Sequence, residues 1–369
     1  MNAPATSSTA SGPRTAAPAG GPRPVTGLGF NTRVSWSDDH GPAAGLAEGI
    51  ALYRAAEDLG YDTGWAYQRH FDHYLSSPLP FFAAVGQHTS RIRLGSAVLP
   101  MRYQDPVLLA EAAGTTDLLV GGRLELALAT GSQASWDAVF GGVDTDPRTE
   151  ALRRLDRFLA GVSGEALHVV DGPGQGAPVG TPIRVTPHSP GLRGRLRIGA
   201  ASTDSARRAA RLGLGLITGT VLHGLAEGET FAQYQARVIA AYRDTWYEVR
   251  GSTPPPVAVA ASILPGTTAA LRETYAAYDH PRRTEGMAAS RPRGALEPVV
   301  GAQLPAGQRI SPVHHGTPDE VAASVLADPG IAAADEVVLF LPPGFGPGAN
   351  VRLLTDLAAV APAWGWSPA

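Results

Sequence analysis

"IRLGSAVLPMRYQDPVLLAEAAGTTDLLVGGRLELALAT", Ile92 to Thr130, reads as a strand, a helix and a second strand. "IRLGSAVL" and "RLELALAT" are short, nearly continuous apolar runs, the pattern of strands buried on both faces. Between them Asp105 stands as a helix N-cap, with Pro106 at the first helical position, where its missing N–H costs nothing. Gly121 and Gly122 then turn the chain tightly into the second strand. Two such strands joined by a helix form the repeating unit of a helix-covered parallel sheet.

The unit recurs in both directions. Upstream, "VTGLGF" leads to the helical "LAEGIALYRAAEDLG", and "YDTGWAY" leads to "PFFAAVGQHTS". Downstream, "TEALRRLDRFLAGV" is the fourth helix; "RLRIGAAS", "LGLITGT", "PVAVAASIL" and "DEVVLFL" are strands five to eight, and "NVRLLTDLAAVAPA" is the last helix. Thr317 and Glu320 have capping-box spacing in "TPDEVAASVLAD". Eight strands alternating with helices predict a closed (β/α)8 TIM barrel with insertions. The rival dinucleotide fold is weakened because "GLGLITG", Gly213 to Gly219, has one residue too many for G-x-G-x-x-G. Residues 164–194 and 265–312 read as irregular insertions, and residues 1–24, almost free of large apolar side chains, as a disordered tail. Residues 25–369 are then expected to form a single barrel domain, within the size barrels reach with insertions.

Composition removes whole classes of chemistry. The 369 residues carry a net charge of -3 and no basic run, so nucleic acid and anionic membrane are not expected partners; a small-molecule substrate is. No cysteine and no lysine occur, which excludes thiolate catalysis, cysteine-ligated metals and lysine Schiff bases. Any phosphate must be held by arginine, hydroxyls or backbone amides. No run has the length of a membrane span and the first residues lack the apolar centre of a secretory signal, so a cytoplasmic location is expected.

In a barrel the active site lies where strands end and the following loops begin. Strand two ends in "QRHFDH", Gln68 to His73. His70, Asp72 and His73 are metal-ligand types, and a metal-dependent hydrolase is one reading. Loop residues in solvent are the plainer reading of Asp72 and His73, whereas His70 directly follows a buried strand and is a candidate acid or base. Strand five ends at Ser202, and free amides and hydroxyls at the next helix start suit a phosphate; ordinary capping by Thr203 or Asp204 explains them equally.

Four blocks, "AEDLGYDTGWAYQRHFD", "SPLPFFAAVGQHTSRIRLGSAVLPMRYQDPVLLAEAAGTTDLLVGGRLELALATGS", "GAASTDSARRAARLGLGL" and "GTPDEVAASVLAD", resemble in order those of the bacterial luciferase-like flavin monooxygenases. The resemblance runs over most of the chain from about Val25 and implies a (β/α)8 barrel. It implies FMN, held non-covalently and delivered reduced by a separate flavin reductase, with oxygenation of a small organic substrate; a deazaflavin is the alternative cofactor, and a homodimer the expected assembly. By motif, Gln68, Arg69 and His70 fall on the family's catalytic strand-two segment, with Arg69 standing where luciferase has the first histidine of a pair. Ala97 and Val98 fall on the segment that touches the flavin ring, where relatives carry a non-proline cis bond. Thr130 replaces luciferase's phosphate-binding arginine, which leaves the phosphate to Ala201, Ser202, Thr203 and their amides. Asn31 and Thr32 are candidates for the substrate pocket. Deazaflavin hydride transfer, the metal hydrolase and a catalytically silent flavin-binding protein stand as the other readings.

Overall fold

In the computed structural model, residues 24–131, 136–141, 146–285 and 308–368 are described. The expected tail lies outside them except for its last residue, and so does much of the second irregular segment. Eight parallel strands alternate with eight helices: β1 (Gly27–Thr32), α1 (Gly41–Asp58), β2 (Thr63–Ala66), α2 (Pro78–Gly86), β3 (Arg93–Pro100), α3 (Pro106–Leu119), β4 (Leu124–Ala129), α4 (Pro147–Val162), β5 (Leu196–Ala200), α5 (Thr203–Leu212), β6 (Gly215–Thr218), α6 (Phe231–Arg250), β7 (Ala258–Pro265), α7 (Ala269–Glu285), β8 (Glu336–Phe340) and α8 (Pro347–Val360). Each strand pairs with the next, and β8 closes on β1 with Gly27 opposite Glu336. The TIM barrel expected from the strand count is the fold.

Local chemistry sets the boundaries. The Asp105 carboxylate accepts hydrogen bonds from the Val107 and Leu108 amides at 2.9 Å, capping α3. Gly121 and Gly122, at φ 67° and 79°, make the turn into β4. Beside that turn Arg123 donates to the carbonyls of Gly86, Thr89, Ile92 and Val120, a structural clamp. Thr317 and Glu320 form the expected capping box on the helix Pro318–Leu326.

The barrel interior is filled rather than open. Trp65 is fully buried inside it with Ala97, Ala127, Ile217, Ala258 and Val338. One large ring needs small neighbours: a Cβ on Gly95 would lie 2.4 Å from the Trp65 ring. Beneath Trp65, at the N-terminal strand ends, Arg93 and Arg197 both pair with Glu125 and Glu336 at 2.8–3.2 Å. Outside the barrel, Trp364 and Trp366 at the C-terminus are buried, and the Trp366 indole donates to Asp62 at 2.9 Å.

Both irregular segments hold more order than their composition suggests. In residues 164–194 a short ribbon pairs His168–Val169 with Pro182–Ile183, and Val170, Val185 and Leu192 are buried. Ser189 donates to the buried Asp117 of α3, so this segment is tied to the barrel and is not a free surface loop. In 265–312, α7 is followed after the undescribed residues by Gln308–Ile310, which pairs antiparallel with Val221–His223.

Candidate active site

At the C-terminal ends of β3, β4 and β5 lies a cavity of about 470 Å³. Of the residues expected to hold a cofactor, Val98, Thr130, Ala201 and Ser202 line it. Ala97 sits behind Val98 in the barrel interior, and Thr203 is the first residue of α5. The Ala97–Val98 peptide is cis. Gly199 makes room for Val98, since a Cβ there would lie 2.4 Å from Val98 Cγ1. Asn31, at the end of β1, directs its amide at the Ala97 carbonyl at 3.5 Å.

Ser202, not Thr203 or Asp204, caps α5. Only Ser202 has the extended backbone an N-cap requires, and its hydroxyl accepts from the Ser205 amide while Ser205 Oγ accepts from the Ser202 amide. Two cations stand beside this helix start. Arg208 on α5 and Arg148 on α4 line the cavity, and neither guanidinium makes an ion pair or hydrogen bond among the described residues. The nearby Glu150 does not neutralise Arg148, because its carboxylate is held by Arg153 and Arg154, which bring its pKa down to about 2. Unpaired guanidinium groups and a helix N-terminus around one cavity complement a phosphate.

The end of β2 contributes a different environment. His70 is enclosed by the rings of Phe140, Trp136, Phe71 and Tyr103, at centroid distances of 4.9–6.3 Å. Burial pushes the imidazole pKa below its usual value, and the ring is neutral at neutral pH. Arg69 binds Asp72 at 2.7 Å and lies over the Trp136 ring. Tyr103 connects the two environments, since it faces His70 and approaches Gly131 of the cavity wall.

The "HFDH" residues diverge. His70 enters the aromatic cage, Asp72 is buried against Arg69, and His73 stacks on Trp36. Asp72 and His73 are therefore packed residues rather than solvated ones. Among the described residues no group of three histidine, aspartate or glutamate side chains is placed to hold a metal.

The site also leaves buried polar atoms unsatisfied. Asn31 and Gln68 are each 6% exposed, and each spends its amide N–H on a backbone carbonyl while its oxygen finds no partner. His70 Nε2 is buried without a partner as well. Buried polar atoms are rarely left unpaired in native proteins, and three at adjacent strand ends match a ligand that carries N–H and carbonyl groups.

A family model described as luciferase-like monooxygenase matches residues 28–332, from β1 to just short of β8. The chain belongs to that family. Among curated members it is 34% identical over 143 residues to 4-hydroxyprotoasukamycin monooxygenase of Streptomyces nodosus subsp. asukaensis, covering 35% of this chain and 38% of that protein. It is also 34% identical over 106 residues to an F420-dependent glucose-6-phosphate dehydrogenase of Kineococcus radiotolerans, covering 27% of this chain and 31% of that protein. The matched stretches thus span well under half the length of these relatives. Solved structures agree over the whole barrel: monooxygenase RslO1 from Streptomyces bottropensis has TM-score 0.70 and 17% identity, over 90% of this chain and 98% of that one. The oxygenating constituent of 3,6-diketocamphane monooxygenase from Pseudomonas putida, in complex with FMN, has TM-score 0.64 and 16% identity, over 92% and 98%. At such identities the likeness is one of fold.

Within this luciferase-like barrel, sequence reasoning missed Arg148 and Arg208. Both sit in ordinary amphipathic helices, "PRTEALRRLDRF" and "TDSARRAARL", among other arginines. Only the absence of a partner sets them apart, and that is a three-dimensional property.

Proposed function

We propose that the protein is a monooxygenase that uses reduced FMN and dioxygen to oxygenate a small organic substrate. The observation that carries this reading is the cavity joining Val98 of β3 to the Ser202 helix start and to Arg148 and Arg208, which have no ion pair there. Arg148, Arg208, Ser202, Ser205 and the first amides of α5 would hold the phosphate. Val98, Asn31 and Gln68 would position the ring, the two amide oxygens accepting its N–H groups. A bound reduced flavin would supply the electrons that activate dioxygen. His70, neutral and packed among four aromatic rings with its Nε2 buried, would accept or return a proton through Nε2. Arg69 is held by Asp72, so its part is to fix the loop that carries His70. The reading includes a separate flavin reductase as electron source, a homodimer of single-barrel subunits, and a cytoplasmic place of work; the description of the FMN-bound relative as an oxygenating constituent supports the first of these. No described helix is long and apolar enough to cross a membrane.

Hydride transfer with a deazaflavin is the second reading, favoured by the F420-dependent relative. The phosphate cavity serves either cofactor, because both carry a phosphate. Anaerobic titration with reduced FMN and with reduced deazaflavin, followed by admission of air, separates the two. Saturable FMN binding followed by rapid reoxidation that an organic acceptor couples to its own oxygenation is the expected result. Tight deazaflavin binding with no reaction in air would replace the first reading by the second.

A further inference from the structure

A second cavity, of about 540 Å³, lies between the β1–α1 and β8–α8 loops and shares no lining residue with the first. Its volume falls in the range of small-molecule sites. Trp36 and Phe345 supply its aromatic walls, and each is backed by another ring: Trp36 stacks on His73 at 6.1 Å and 25°, Phe345 on Tyr275 at 6.0 Å and 18°. Gly45 lets helix α1 approach this wall, since a Cβ there would lie 2.8 Å from Trp36 Cβ. The aromatic faces are thus fixed before any ligand arrives, which lowers the ordering cost of binding.

One full charge faces the space. Glu48, half-buried on α1, lines the cavity and makes no ion pair or hydrogen bond among the described residues. Among the described residues no arginine lines the cavity. His40 is the other titratable group, and its Nδ1 is bonded to Ser37 Oγ at 3.1 Å. The α1 and α8 helix starts also border the space, and their partial positive charge favours an anion. At α1 that tendency is blunted, because the Gly41 amide is already bonded to the Ser37 carbonyl at 2.8 Å. Against these partial charges stand a whole carboxylate and two aromatic faces, whose ring quadrupoles attract cations.

We propose that this cavity binds a small organic cation, a planar or methylated ammonium group received by Trp36 and Phe345 with Glu48 as counter-charge. The site is separate from the cofactor cavity and is tested without any flavin. Isothermal titration of the full-length protein with benzyltrimethylammonium, benzyl alcohol and benzoate compares a cation, a neutral molecule and an anion of similar size. The cation is expected to bind one per chain, at least about tenfold tighter than the other two, and more weakly as salt rises. Glu48→Gln and, independently, Phe345→Leu should each weaken it about tenfold, with unchanged thermal unfolding as the check that the fold persists. Benzoate binding as well as the cation would make the cavity a helix-terminus anion site. Cation binding that ignores both substitutions would place the ligand elsewhere. Failure of all three probes to bind would show that the cavity is not a site for such molecules. Each of these three outcomes overturns the proposal and leaves the FMN reading untouched.

Discussion

The two ends of the barrel treat buried polar groups in opposite ways. At the floor, Arg93, Arg197, Glu125 and Glu336 are matched two against two, every guanidinium within 3.2 Å of both carboxylates. At the mouth, Asn31, Gln68 and His70 leave buried atoms without partners, while Arg148 and Arg208 face a cavity unpaired. Backbone strain follows the same division: Val34 and Phe71, non-glycine residues at φ 47° and 55°, both lie in loops of the mouth, where such strain costs about 1–3 kcal/mol each. A floor whose charges are matched by its own residues, even though Glu336 Oε2 has an ion-pair contact and no hydrogen bond, serves stability; a mouth whose polar atoms have neither is suited to a ligand.

The largest expected effect breaks the floor. Arg197→Met leaves Glu125 and Glu336 side by side with only Arg93 between them, and removal of one partner from a buried ion network costs about 3–5 kcal/mol. Urea unfolding should show that loss, while FMN affinity per folded molecule stays unchanged. A loss below about 1 kcal/mol would mean that water reaches the floor and screens it.

How far the sequence reveals each end follows from what each end is made of. Strand number, the Asp105–Pro106 helix start and the Thr317–Glu320 box are local patterns, and they predict the barrel from neighbours a few residues apart. The floor was invisible: Arg93, Glu125, Arg197 and Glu336 sit one by one in four separate strands, and nothing local says that they meet. Asp72 shows the reverse error. Its neighbourhood in "RHFDH" suggests solvent, yet Arg69 three residues back draws it into a buried pair. At the mouth, Val98 and Ser202, pointed to by resemblance, line the cavity, whereas Arg148 and Arg208 become distinctive only because they line it without an ion pair or hydrogen bond among the described residues, Asp146 acting on the Arg148 guanidinium only through its charge.

The next effect concerns His70. His70→Gln should lower turnover by about 10²-fold, at the low end for a general acid or base, with FMN binding within about threefold of the original. If it lowers FMN binding and turnover together, the ring positions the cofactor instead. The pH dependence sharpens the assignment. The folded pKa lies below the ordinary 6.5 through burial, so the unfolded chain takes up the proton first as pH falls. The stability that the neutral ring contributes is therefore complete above about pH 6.5 and is lost as pH falls through the lower folded value. His70→Gln should remove that slope, and the acid limb of kcat should lie below pH 6.5 only in the parent.

Smaller effects are expected at the Ser202 end of the cavity, where the proposed phosphate would lie. Arg148→Ala and Arg208→Ala should each weaken FMN binding about tenfold and reduce its salt dependence, with little change in riboflavin binding because riboflavin lacks the phosphate. Equal losses for FMN and riboflavin would move both arginines away from the phosphate.

The smallest stability effect belongs to Asn31, and it is the sharpest contrast with Arg197. Both side chains are buried and polar, but Arg197 is fully engaged whereas the Asn31 oxygen has no partner and its amide makes only a long contact to the Ala97 carbonyl. Asn31→Leu removes an unpaid desolvation together with a weak hydrogen bond, terms that oppose each other at about 1 kcal/mol apiece, so urea stability should move by less than about 1 kcal/mol. Flavin affinity should fall about tenfold, because the ring would lose an acceptor that only a ligand was there to use. A large loss of stability with flavin affinity intact would show that Asn31 is a structural brace for β3, and the division between a satisfied floor and an unsatisfied mouth would not hold at β1.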